Sequence, residues 1–274
     1  MTRSLDRLSL NTATLGFQWP LDRVADACAK QGLGGIAPWR RDLAALPPAQ
    51  AARHIRDAGL TVTSLCRGGY LTHRGPSERT QVLDDNRRAL DEAAALGAPA
   101  LCFVVGGLPQ GTKDLEGSRA QVVDLLRALH EHAEGTGVRL AVEPLHPMYA
   151  GDRSCINTLA SALDVCDAVA PDVGVMLDAY HLWWDPELEH GLARARPDRV
   201  LGWQICDWLV PTKDMLNDRG MMGDGVIDLS GLDRLVAEAG YDGITEVEIF
   251  SDDWGRRDPA ETLQVCAERF LALS

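Results

Sequence analysis

The sequence has no C-x-x-C pair among its seven cysteines, Cys28, Cys66, Cys102, Cys155, Cys166, Cys206 and Cys266. That argues against a zinc ribbon or a dithiol redox motif, and the odd count leaves reduced, mostly buried thiols as the expectation. Long apolar runs are also missing. The longest, Ala93 to Gly107, is interrupted by Gly and Pro and falls short of the roughly 18 to 20 residues a membrane-spanning helix needs. Positive charge is scarce: 27 Lys and Arg face 40 Asp and Glu, a formal net charge of -13. Such a surface repels a phosphate backbone, so nucleic acid is not the expected partner. Neither G-x-S-x-G nor a P-loop occurs, which sets aside acyl transfer and kinase chemistry, and "GGLPQG" does not supply the G-x-G-x-x-G turn of a doubly wound sheet. No Pro/Ser-rich linker, heptad or short repeat divides the chain. The opening "MTRSLDRLSLNTATLG" has no apolar core followed by a small-residue cleavage site, so the expectation is a cytoplasmic protein.

What is present is a regular alternation. With 274 residues, 46% of them apolar, the chain can bury a large core, and residues 1–274 read as one domain. Eight β-rich runs recur: "RLSLNTA", "GGIAPW", "LTVTSLC", "PALCFVVGG", "RLAVEPL", "VGVMLDAYH", "RVLGWQICDW" and "GITEVEIF". Between them lie segments of helical spacing, among them Leu21 to Gln31, Glu78 to Leu96, Ser118 to Glu134, Ser154 to Val169 and Leu229 to Ala239, many ending in Gly. Eight βα units in about 250 residues predict an α/β fold of the (β/α)8 TIM-barrel type.

In such a barrel the C-terminal ends of the strands carry the chemistry. Four consecutive ends bear polar side chains: Glu143, Asp178, Gln204 and Glu248. Burying an ionised carboxylate costs several kcal/mol unless a cation or hydrogen bonds compensate. Three carboxylates converging on one point repel one another, and a divalent cation with oxygen ligands is the simplest way to neutralise them. Each acid alone reads as a helix cap or rim ion pair; the succession of four favours the metal. Asp228, just before a helical pattern, is most simply an N-cap. Glu246 shares parity with Glu248 one layer deeper. It reads either as a buried ion-pair partner or as the ligand in place of Glu248, which lies nearer the strand end.

At these residues the chain resembles the xylose-isomerase-like TIM-barrel family of sugar phosphate isomerases and epimerases, over essentially its whole length. The motifs, in order, are "EPLHP", "LDAYH", "QICDW", "RGMMGDGVID" and "EVEIF". The resemblance implies a metal-dependent barrel acting on a small carbohydrate or keto-polyol, with Glu143, Asp178, Gln204 and Glu248 at the metal-ligand positions and His181 contacting substrate. Many relatives carry His where this chain has Gln204, although hydroxypyruvate isomerases resemble it in having Gln. Three carboxylates and an amide favour Mn2+ or Mg2+ over zinc. Of the seven His, four (His54, His130, His132 and His190) fall in expected helices, so the three-zinc set of the endonuclease IV branch is not evident.

The resemblance further implies proton transfer through an enediolate, with Glu143 and Glu248 on opposite faces of the substrate, one abstracting and the other returning the proton. His146, three residues after Glu143, is a second candidate acid or base, since imidazole titrates near neutral pH. The bland reading of His146 is a loop histidine bonded to backbone. Asn11, Arg67, His73, Asp207 and Arg219 follow strand ends and are candidate contacts to a polyol, and Trp19, Trp39, Trp183 and Trp184 could stack on a sugar face or merely pack. The leading function is a sugar or keto-polyol isomerase or epimerase. The alternative is a lyase or dehydratase, in which loss of a β-substituent follows the same proton abstraction. A homo-oligomer is left open.

Overall fold

In the computed structural model, which describes residues 3–273, strand and helix alternate along the chain. The strands are β1 (Leu8–Asn11), β2 (Gly35–Ala37), β3 (Thr61–Val62), β4 (Leu65–Gly69), β5 (Ala100–Val104), β6 (Arg139–Val142), β7 (Gly174–Asp178), β8 (Val200–Ile205), β9 (Asp207–Trp208), β10 (Arg219–Gly220) and β11 (Thr245–Val247). The helices are α1 (Leu21–Gln31), α2 (Pro48–Asp57), α3 (Pro76–Leu96), α4 (Leu115–Ala133), α5 (Leu159–Val169), α6 (Ala179–Leu182), α7 (Leu188–Ala195), α8 (Leu229–Glu238) and α9 (Pro259–Ala272).

All strands but β9 and β10 form one parallel sheet in the order β3-β2-β1-β11-β8-β7-β6-β5-β4. Its two ends, β3 and β4, are neighbours in the chain, separated only by Thr63 and Ser64. They are two halves of one barrel strand: β3 pairs with β2 and β4 with β5. The Cys66 amide donates to Pro38 O at 3.0 Å, and Trp39 bridges to Cys66, so the sheet closes on itself. This is the expected eight-stranded α/β barrel.

Helix placement follows from spacing and caps. α1 buries Leu21, Val24, Ala25 and Cys28, a stripe at intervals of one to three residues, and stops at Gly32 in the left-handed region. Asp228 caps α8 by accepting from the Gly231 amide at 2.9 Å, as its position before the helical pattern predicts. Apolar residues between the helices and the outer faces of the strands make the main core. A second, smaller cluster of Cys66, Ala100, Cys102, Ala141 and Met176 packs apart from it. All seven cysteines are free and buried. Among the described residues no helix is long and apolar enough to cross a membrane.

Candidate active site

The ladders place the strand-end acids in register. Asp178 pairs with Gln204, and Gln204 with Glu246. β6 and β11 end one residue before Glu143 and Glu248, but the ladder continues: the Glu143 amide donates to Phe103 O at 3.1 Å and the Glu248 amide to Ile205 O at 3.2 Å. Both glutamates line a cavity of about 160 Å³ at the C-terminal mouth of the barrel, with His181, Arg219, Tyr149, Trp39 and Phe250 among its walls.

The Arg219 guanidinium is buried at the centre of the acids. Its Nη1 donates to Asp178 Oδ2 at 2.9 Å and to Glu248 Oε2 at 3.1 Å, and its Nη2 is 3.2 Å from His181 Nε2. His181 Nε2 is 3.7 Å from both Glu143 and Asp178. Burial, then the neighbouring Asp178 charge, pushes the Glu143 carboxyl up to about 7. Burial likewise raises Asp178 and Glu248, with Arg219 opposing it. His181 is driven well below the usual imidazole value, first by burial and then by Arg219, so it is neutral. Both of its ring nitrogens nevertheless face N–H donors, Nδ1 the His146 amide at 3.3 Å and Nε2 Arg219. A neutral imidazole has one acceptor nitrogen, so only one of these contacts is a hydrogen bond.

Glu246 lies in a different environment from Glu248. Thr63 Oγ1 donates to it at 2.6 Å, Ser64 Oγ at 2.8 Å and Gln204 Nε2 at 3.1 Å. Its lone pairs are engaged by hydroxyls and an amide inside the barrel, and it does not line the cavity. Glu248 is the one that faces the mouth, where Asn11 Nδ2 donates to its Oε1 at 3.0 Å.

The residues present fit a divalent cation. Glu143, Asp178 and His181 each offer a ligand atom, all within 4.8 Å of one another, and Glu248 shares Arg219 with Asp178. The side-chain oxygen of Gln204, Oε1, is buried without a donor, and an acceptor left so is what a cation satisfies.

Four expected substrate or catalytic residues are not on the cavity wall: His73, whose backbone is bonded to the Gln121 side chain, and three more. The His146 ring lies between Trp184 and Trp208, 5.4 Å and 5.0 Å between centroids, and its Nδ1 accepts from the Met148 amide at 3.2 Å. It is the loop histidine of the bland reading. Asp207 accepts from four backbone amides, those of Trp208, Gly223, Gly225 and Ile227, at 2.8 to 3.0 Å. This carboxylate ties the loop after β10 to β9. Asn11 is spent on its neighbours: beyond Glu248 it accepts from Trp39 Nε1 at 2.7 Å and from the Ala13 amide. Wall residues that the sequence reading missed include Tyr149, Arg153, Cys66, Cys102 and Phe250. Cys66 and Cys102 are cross-strand partners, and strand parity could have shown them facing inward.

The profile of the xylose isomerase-like TIM barrel matches residues 25–269. The chain belongs to that family. Protein SMc04130 of Sinorhizobium meliloti 1021 is 50% identical and superposes with a TM-score of 0.95, covering 98% of this chain and 99% of that one. An inosose isomerase of Bacillus velezensis is 27% identical over 96% of this chain and 95% of its own. A 3-dehydroshikimate dehydratase of Pseudomonas putida is 28% identical over 88% of this chain, which spans only 38% of the dehydratase. The IolI protein with a bound zinc shares the fold, at a TM-score of 0.84, 21% identity and 97% of each chain.

Proposed function

We propose that the chain is a divalent-metal-dependent isomerase or epimerase of a hydroxy-ketone sugar or keto-polyol. The observation that carries this reading is that Glu143 and Glu248, from strand ends with two strands between them, line one cavity with His181 and Arg219 between them. Glu143, Asp178, Glu248 and Gln204 Oε1 would hold the cation, which supplies positive charge to polarise the substrate carbonyl. The oxygen donors suit Mn2+ or Mg2+, whereas His181 beside them and the zinc of the IolI structure point to a metal that accepts nitrogen. The metal content of the purified protein decides between them.

The chain's own residues then move one proton. Glu143 takes the C–H proton beside the carbonyl, and the electron pair shifts onto the carbonyl oxygen. Arg219 N–H groups donate to that oxygen. Glu248 relays a proton from solvent to the other face, and Asn11 holds its carboxyl in place. Trp39, Leu145, Leu216 and Phe250 screen the reacting carbon from water.

The dehydratase relative supports elimination as a second reading, since the same proton removal can be followed by loss of a β-hydroxyl. That step needs an acid at the leaving group, and His146, the expected one, is off the wall. Isomerisation is therefore the first reading. The test is a panel of inososes, ketoses and keto-glycosides in D2O, with and without chelator, followed by NMR. Chelator-sensitive deuterium entry beside the carbonyl without water or aglycone release supports isomerisation. Release with equal efficiency supports elimination, and no exchange with any compound contradicts both.

A further inference from the structure

One wall of the cavity has no part in the proton transfer. It is built around Gly106 and Gly107, just beyond β5. A side chain at Gly106 would meet Thr72 Oγ1 at 2.7 Å and Tyr70 Cα at 3.1 Å, and one at Gly107 would meet the Asp152 amide at 2.5 Å. Two bare glycines thus let the segment after β4 and the loop after β6 close over the end of β5 from both sides. The backbone fastens them: the Tyr70 amide donates to Val104 O at 2.8 Å, and the Gly106 amide to Arg153 O at 2.8 Å.

Two arginines reach the cavity here, Arg67 from β4 itself and Arg153 from the loop after β6. Arg67 gets there through a bulge. The β4–β5 register shifts between Cys66 and Gly68, so Cys66 and Arg67, which a regular strand would point to opposite faces, both face the cavity. Bulges re-aim side chains in this way beside active sites. The bulge is fixed from outside by Asn86 of α3, which accepts from the Gly69 amide at 2.6 Å and donates to Gly69 O at 3.0 Å. Both guanidiniums lie over tyrosine rings, Arg67 on Tyr70 at 4.5 Å and Arg153 on Tyr149 at 5.5 Å. Stacking holds the planes and leaves the N–H edges free. Among the described residues Arg67 makes no salt bridge, and the one carboxylate within salt-bridge distance of Arg153 is exposed Asp152, at 4.0 Å.

Two cavity arginines, Arg67 with no salt bridge among the described residues and Arg153 with only an exposed carboxylate at 4.0 Å, in a chain of net charge -13, make an anion site. We propose that the substrate carries, besides its hydroxy-ketone, a carboxylate or phosphate that Arg67 and Arg153 bind on the β4–β5 side of the mouth. This deepens the isomerase reading and rests on it: the substrate class becomes an acidic sugar or polyol, held at one end by guanidiniums and handled at the other by Glu143 and Glu248.

The test uses polyols that cannot react, so that binding is read apart from chemistry. Gluconate, glucitol 6-phosphate and glucitol are titrated by calorimetry into the purified chain, its Arg67→Gln and Arg153→Gln variants, and Arg67→Lys. The expected result is that at least one anionic polyol binds about tenfold or more tighter than glucitol, in line with charge-assisted hydrogen bonds. That preference is lost in both Gln variants and partly kept in Arg67→Lys, while glucitol binding is unchanged. Whichever of gluconate and glucitol 6-phosphate binds tighter identifies the anion as carboxylate or phosphate. Equal binding of all three to the wild type, or a preference that survives both Gln variants, overturns the anion site and leaves the isomerase reading standing. Failure of all three to bind overturns both.

Discussion

The guanidinium of Arg219 stands 2.9 Å from the Asp178 carboxylate, with both side chains buried at the mouth of the barrel. The same Nη1 is 3.1 Å from Glu248. Arg219 is thus the one cation among the described residues that compensates these acids within salt-bridge distance. Arg219→Gln should destabilise the metal-free protein by about 3 to 5 kcal/mol, the usual result of leaving a buried charge unpaired. A saturating divalent cation should restore much of that. Denaturant unfolding of both proteins, with and without metal, measures it; equal stabilities without metal would mean that Arg219 is not the compensating charge.

The acids also set a pH dependence. Glu143 rises from 4.5 to about 7, chiefly through burial, and Asp178, Glu246 and Glu248 rise for the same first reason. A carboxyl whose folded value exceeds its unfolded one binds more protons when folded. Its stabilising effect is therefore present at low pH and lost as pH rises from the ordinary carboxyl range through about 7. Metal-free protein should melt at a higher temperature near pH 5.5 than near pH 8, roughly the two sides of that window. Glu143→Gln should flatten the dependence, and so should bound metal. A melting temperature that climbs across this range would contradict the assignment.

Metal retention tests the ligand set. Glu143→Gln and Asp178→Asn each remove a charge and weaken a donor, so both should lower the metal content of purified protein from about one per chain. Gln204→His should shift preference toward Co2+ or Zn2+, because imidazole is a softer donor than amide oxygen. Unchanged content in both carboxylate variants would exclude the site, and an unchanged metal profile would take Gln204 out of it.

Asn11 and His146 should separate cleanly. Asn11 orients Glu248, so Asn11→Ala should cut kcat by roughly tenfold or more with little change in KM and no loss of metal, as expected for a misaligned proton donor. His146 packs between indoles away from the cavity, and His146→Ala should change kcat by only about threefold, far less than the 10² to 10⁴ that loss of a general acid or base costs. Steady-state kinetics on a turned-over substrate, or exchange rates in D2O, would show the reverse ranking if His146 rather than Glu248 moved the proton.

Much of this was legible in the chain because strand ends announce themselves. The alternation of β-formers and helical spacing predicts the barrel, and acids at the ends of "RLAVE", "VGVMLD" and "EVEIF" stand out against apolar runs. What sequence cannot show is which donor reaches each acid across the barrel. Glu246 and Glu248 have the same parity, and only the hydroxyls of Thr63 and Ser64, from the far side of the sheet, distinguish them. Asp207 looked like a ligand contact because its partners, the Gly223 and Gly225 amides, lie some sixteen to eighteen residues on. His146 was read as aimed inward from its closeness to Glu143, but a 3-10 turn at Pro147–Tyr149 carries its ring to Trp184 and Trp208. Arg67, a candidate contact from its place after a strand, shares the cavity with its neighbour Cys66 only because of the bulge, since strict alternation assigns neighbouring side chains to opposite faces.

The most direct test of the central claim, proton transfer between two glutamates, is exchange in D2O by the single variants Glu143→Gln and Glu248→Gln with each member of an interconverted substrate pair. The account predicts that neither variant interconverts the pair. Each should still exchange the C–H proton of one member, the one whose hydrogen faces the remaining glutamate, and the two variants should exchange opposite members. Interconversion surviving in either variant, or both variants exchanging the same member, would contradict it.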